Sequence, residues 1–279
     1  MSDAVAPPEK TYLEGLARAF AGATLFAVPL LMTQEMWRLG FHTDRWKLAL
    51  YLAIGIPTVI LLSRHAGFRH TTDWLDDVMD GLSAMFVGAV VASALLLLMG
   101  VIAPDQPLRE IVGKIAIQTV PAAIGAVIAR KQLGRGRGED EGDEDDAPDP
   151  TYFGELFLMS VGTLFIALNV APTEEVLLIA RQMAAWQAVI LVVLSLGVLH
   201  VLVYKLGLPG QEQGPEGRSP WAVFIHFSAA GYLVALATCL YILWTFDRTD
   251  GAGAMELLKV VVVLGFPGAI GAAIARLVV

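Results

Sequence analysis

The sequence predicts an all-α membrane protein: eight transmembrane helices in two parallel-topology four-helix repeats. Three observations carry that prediction. Hydrophobic residues make up 56% of the 279 and charged residues only 16%, the balance of a chain that lives in lipid. Eight apolar segments approach the roughly 20 residues that a bilayer core about 30 Å thick requires. The chain also repeats itself. Pro121-Ala-Ala-Ile-Gly-Ala-Val-Ile-Ala-Arg130 and Pro267-Gly-Ala-Ile-Gly-Ala-Ala-Ile-Ala-Arg276 agree at eight of ten positions, 146 residues apart.

The duplication extends to the start of each half. Tyr12, Leu16, Gly22, Ala27, Thr33 and Glu35 recur 140 residues later as Tyr152, Leu156, Gly162, Ala167, Thr173 and Glu175. Trp46 and Trp186 keep that spacing, as do Gly67 and Gly207. The six additional residues enter at Pro209–Arg218, a Gly- and Pro-rich loop. The domain organisation expected is a first repeat over 1–130, an acidic, disordered cytoplasmic linker over 131–151 and a second repeat over 152–279.

Taken in order, the spans fall near 13–37, 46–64, 79–103, 110–130, 153–180, 183–205, 219–246 and 255–277. The third and sixth carry no charge across Gly81–Ala103 and Met183–Tyr204. The fourth and eighth begin with Glu110/Lys114 and Glu256/Lys259, whose long side chains can reach the interface. Arg18 and Glu14 inside the first segment argue against a cleaved signal peptide. The linker holds eight acids against three basic residues and accounts for most of the net charge of −8, so no nucleic-acid partner follows from charge. Cys239 is the single cysteine, which excludes an intrachain disulfide.

With eight spans both termini share a side. That side, Arg18 included, carries 11 of the 19 Lys and Arg residues, an excess that favours cytoplasmic termini. Pro29, Pro121, Pro172 and Pro267 are expected to kink or break their helices. Arg130 and Arg276 read as helix-end charges that complement the dipole and anchor the cytoplasmic ends.

The constellation with the best claim to chemistry is the duplicated Thr-x-Glu, Thr33-Gln-Glu35 and Thr173-Glu-Glu175. Each stands near the end of the first helix of its repeat, after Pro29 or Pro172. Paired glutamates at matching depth, with Thr33, Thr173, Glu174 and Asn169 in support, form the kind of oxygen cluster that strips and holds cations or relays protons. The competing explanation is that these acids mark where helices meet water. Val176–Ala180 continue the apolar run past Glu175 and oppose it.

A second cluster, Asp73, Asp76, Asp77 and Asp80, shares one helical face. Asp77-Val-Met-Asp-Gly-Leu-Ser-Ala84 resembles the opening of the CDP-alcohol phosphotransferase signature, which implies Mg²⁺ held by Asp77 and Asp80 against a phosphorylated lipid. Met85, Ala94 and Leu98 stand where that family has Arg, Gly and Asp, and a solvated helix start explains the acids more simply. His200 and His226 lie within spans six and seven, where an ionisable group is a functional candidate, but no second ligand sits at metal spacing.

Together, Asn169-Val-Ala-Pro-Thr-Glu-Glu175 and the twin Pro-x-Ala-Ile-Gly-Ala-x-Ile-Ala-Arg segments resemble an uncharacterised bacterial family of integral membrane proteins defined by a domain of unknown function. The likeness covers the chain outside the acidic linker and implies a multi-pass protein of a bacterial inner membrane, with no assigned activity. The function expected is transport, by channel or carrier, of a cation or proton. A membrane enzyme at Asp77/Asp80 and a non-catalytic scaffold or sensor are the alternatives. The partners expected are the lipid bilayer, the transported ion and a further copy of the chain. No cofactor is expected.

Overall fold

A computed structural model describes residues 8–65, 74–134, 151–204 and 220–278. The acidic block 139–146, the stretch from Gly67 to Asp73 and the loop Pro209–Arg218 lie outside the described residues. Among the described residues every regular element is helical. Seven of those helices are long and apolar enough to cross a membrane, and an eighth span is obtained when one bent pair is taken together. The chain divides into two compact units, Met1–Pro148 and Asp149–Val279.

The first unit contains α1 (Pro8–Leu31), α2 (Gln34–His42), α3 (Arg45–His65), α4 (Trp74–Leu98) and α5 (Leu108–Gly134). The span expected over 13–37 is not one helix. α1 ends at Leu31, and the chain turns through 87° into α2. Hydropathy conceals such a turn, because it records how apolar a segment is and not its direction. α2 is amphipathic: Met36, Leu39 and Gly40 are buried while Gln34, Arg38 and His42 face out. A short helix of that pattern, set across the axis of a span, suits the membrane interface.

α5 is the hub of this unit. It packs against α1, α2, α3 and α4, and 78% of its apolar window is buried inside the protein. The first copy of the repeated decapeptide lies here, with Ala122, Ala123, Ile124 and Ala126 fully buried. Helix association in lipid depends on close packing rather than on expelling water, so small residues set the contact. Gly22 of α1 and Gly125 of α5 meet backbone to backbone. A Cβ on Gly22 would stand 2.5 Å from the Gly125 carbonyl oxygen.

The second unit contains α6 (Tyr152–Val170), α7 (Glu174–Gln182), α8 (Ala185–Tyr204), α9 (Pro220–Val223), a π-helical turn (Phe224–Ala229), α10 (Ala230–Thr245) and α11 (Ala254–Val278). The π turn runs directly into α10, and Phe224–Thr245 forms one span. Thr151 caps α6 by accepting a hydrogen bond from the Gly154 N–H at 3.2 Å. The span expected over 153–180 also ends early, at Val170, and α7 is a separate short helix.

α11 is the hub of the second unit, packing against α6, α7, α8 and α10. It carries the second decapeptide, with Ala269, Ala272 and Ala273 fully buried. Gly162 of α6 and Gly271 of α11 repeat the close approach: a Cβ on Gly162 would meet the Gly271 carbonyl and stand 2.6 Å from the Ala275 Cβ. α5 and α11 run helically through Pro121 and Pro267, as α1 does through Pro29. Pro172 differs, since it lies in the turn between α6 and α7 and not within a helix.

Candidate functional site

The two Thr-x-Glu segments sit at the two helix breaks, and the threonines hold those breaks in the same way. Thr33 has an extended backbone (φ −98°, ψ 123°), as does Thr173 (φ −74°, ψ 149°), so each closes one helix and opens the next. Neither hydroxyl caps the helix that follows. Each instead donates back to the carbonyl three residues earlier, Thr33 to Leu30 and Thr173 to Val170, both at 2.8 Å. The backbone N–H of each threonine donates to that same carbonyl at 3.1 Å. The C-terminal carbonyls of a helix have no intrahelical donor, and in an apolar setting each needs one. Threonine supplies two.

Two further carbonyls at the first break also receive donors. The Trp37 indole N–H donates to the Leu31 carbonyl at 2.6 Å, and the Met32 N–H donates to Val28 at 3.0 Å. At the second break Asn169 donates its side-chain N–H to the Phe165 carbonyl at 2.8 Å, one turn back. Arg248, from the turn after α10, donates to the Pro172 carbonyl and pairs with Glu174 at 2.8 Å.

The carboxylates therefore stand beyond the first helix of each unit, in the first turn of the short helix after the break. Glu35 is the second residue of α2 and half-buried, whereas Glu175 is the second residue of α7 and exposed. The positive end of the helix dipole favours an acid at either place. The threonine oxygens are half-buried beside them. With its proton committed to a carbonyl, such a hydroxyl presents only lone pairs, which suits a cation and repels an anion.

The other acidic cluster is spread over two environments. Asp76 is exposed, Asp80 is half-buried, and Asp77 is buried with its Oδ2 at 4.0 Å from Arg64 Nε. Asp73 lies outside the described residues. No group of three or more His, Cys, Asp or Glu side chains with metal-binding geometry occurs among the described residues.

A family described as "Putative integral membrane protein (DUF2391)" matches residues 15–279, which includes both breaks and both hub helices. The chain belongs to this family. No curated protein and no solved structure matches the chain. Membership agrees with the apolar helices in making the chain a multi-pass integral membrane protein.

Some polar contacts in this family member were not legible from the sequence. Arg276 stands in the last turn of α11, and its side chain is buried. Its Nη1 lies 3.0 Å from Glu155 Oε2, with only 3% and 10% of the two side chains exposed, and 3.3 Å from the Tyr204 hydroxyl. His200 shares a 2.8 Å hydrogen bond with Ser228 of the π turn, and its ring packs on Tyr204 and Phe224. Tyr152 donates to the His226 carbonyl at 2.8 Å, and the His226 side chain is exposed. Of these, the π turn gave no sequence signal. The Glu155–Arg276 pair had one, an unbalanced charge inside an apolar segment.

Proposed function

We propose that this protein carries a cation across a bacterial inner membrane, with both termini in the cytoplasm, and that its two units derive from one duplicated unit. Glu35 and Glu175 are the ion-attracting carboxylates, one at each helix break, and Thr33 and Thr173 supply neutral oxygens beside them. Glu174 serves its own break by pairing with Arg248, and Asn169 does the same through the Phe165 carbonyl.

The observation that carries this reading is the break itself. In both units an apolar first helix ends at a threonine whose proton is committed backwards, and an acid follows two residues later. Interrupted helices recur at the ion and solute sites of membrane proteins, where side chains must satisfy the carbonyls that the break frees. The acceptor-only threonine oxygens and the carboxylates favour a positively charged substrate over an anion.

Purified protein reconstituted into liposomes tests the proposal. Wild-type protein is expected to pass monovalent cations or protons down a gradient. The double variant Glu35→Gln/Glu175→Gln is expected to lose that flux at least tenfold while folding normally. Unchanged flux in the double variant refutes the site, and absence of wild-type flux refutes transport.

A further inference from the structure

Gln118, at the middle of the hub helix α5, is 1% exposed, and among the described residues neither its side-chain oxygen nor its nitrogen has a hydrogen-bond partner. Such an amide can accept two hydrogen bonds and donate two. Leaving it unmet costs about 1–3 kcal/mol for each buried group, more than a native helix ordinarily tolerates without a purpose. Its polar neighbours on α5 are satisfied. Lys114 pairs with Glu110 at 2.6 Å and donates to the Val101 carbonyl at 2.9 Å, and Thr119 donates to Ile115 at 2.8 Å. At the repeat spacing of 146 residues the second unit has Leu264, fully buried, so an apolar side chain serves that position there.

Two close backbone approaches locate Gln118 against α1 and α2. Gly125, two helical turns along the same α5 face, meets Gly22 and Phe26 of α1. Lys114, one turn in the other direction, meets Gly40 of α2. The stretch that runs between those contacts on the facing chain contains Leu30, Thr33 and Glu35. Gln118 is therefore level with the first helix break. Thr43, three residues beyond Gly40, is also buried, and its hydroxyl has no hydrogen-bond partner among the described residues.

From this geometry we infer that Gln118 is a coordinating residue for a partly dehydrated monovalent cation at the α1–α5 seam. Its amide oxygen would act together with the acceptor-only oxygen of Thr33. The inference rests on the cation reading above and deepens it, since it puts a selective position inside the membrane behind Glu35. Neutral oxygens replace the hydration shell of a monovalent ion. Divalent sites draw on several carboxylates, and here Glu110 on α5 is already paired with Lys114, which leaves Glu35 alone. An anion would meet lone pairs at Thr33.

Cation-dependent stability of the full-length protein in detergent provides the test, because a ligand that binds only the folded state raises the unfolding midpoint with concentration. Sodium, potassium and lithium chlorides are compared with choline chloride at equal ionic strength. Wild-type protein is expected to show a saturable midpoint rise with at least one small cation and none with choline. Gln118→Met and Gln118→Leu are expected to abolish that rise while matching or exceeding the wild-type midpoint in choline, as an apolar group replaces an unmet amide. The inference is overturned if the variants keep the cation-dependent rise, if wild type shows none, or if both variants unfold earlier in choline. Binding that depends on Gln118 without flux in liposomes would refute transport and leave the site standing.

Discussion

Arg276 holds Glu155 at 3.0 Å across 121 residues of sequence, tying the end of α11 to the start of α6. Both side chains are nearly withdrawn from solvent. A buried pair of this kind adds little over an apolar pair, but removing one partner strands the other charge and costs about 3–5 kcal/mol. Arg276→Leu is therefore expected to lower the unfolding midpoint of the purified protein sharply. Arg276→Leu combined with Glu155→Leu is expected to recover most of the loss. Recovery in the double variant, measured by thermal unfolding in detergent, separates a stranded charge from simple loss of packing.

The glycine contacts give a sterically defined prediction. A methyl group at Gly162 would collide with the Gly271 carbonyl and with the Ala275 Cβ, whereas one at Gly197 in α8 meets nothing within 4 Å. Overfilling a packed seam costs about 1–3 kcal/mol. Replacing an unconstrained helical glycine by alanine gains about 0.5–1 kcal/mol. Gly162→Ala should accordingly unfold earlier than wild type and Gly197→Ala should not. The two midpoints, read in the same detergent, check the seam directly.

Arg248 makes a separable pair of contacts. Its partner Glu174 is 62% exposed, and ion pairs of that kind contribute about 0–1 kcal/mol. The Pro172 carbonyl, by contrast, lies in a buried residue at the turn and accepts from the same guanidinium. Glu174→Ala should leave the α6–α7 turn nearly as protected as before. Arg248→Ala should increase backbone hydrogen exchange over residues 171–176 severalfold. Equal exchange in both variants would show that the carbonyl contact does not hold the turn.

Much of the frame was legible because hydropathy and repetition are both linear signals. Composition and segment length located the helices, and the twin decapeptides fell on the two helices that become the hubs. The breaks were half-legible. Thr33 and Thr173 stood out by recurring, but the continuing apolar run of Val176–Ala180 extended the span beyond its end. The amphipathic pattern of α2, with Met36 and Leu39 buried and Arg38 exposed, was present and outweighed by its neighbours' hydropathy. Arg276 reads as a helix-end charge, which it is, but its burial is not legible: the pairing partner is Glu155, which no local window contains. Gln118 drew no attention, since a single amide in an apolar helix looks harmless until its surroundings are known.

The backbone seams have a consequence for biosynthesis. α1 presents Ala19, Ala23 and Ala27 as a buried face, and its principal partner is α5, the last helix of its unit to leave the ribosome. α6 waits in the same way for α11, the last helix of the second unit. Early helices therefore enter lipid with their small-residue faces uncovered and hold them so until synthesis of the unit is nearly done. Assembly of each half is a closure from its final helix backwards, and a chain released even one helix short would be left with an open seam.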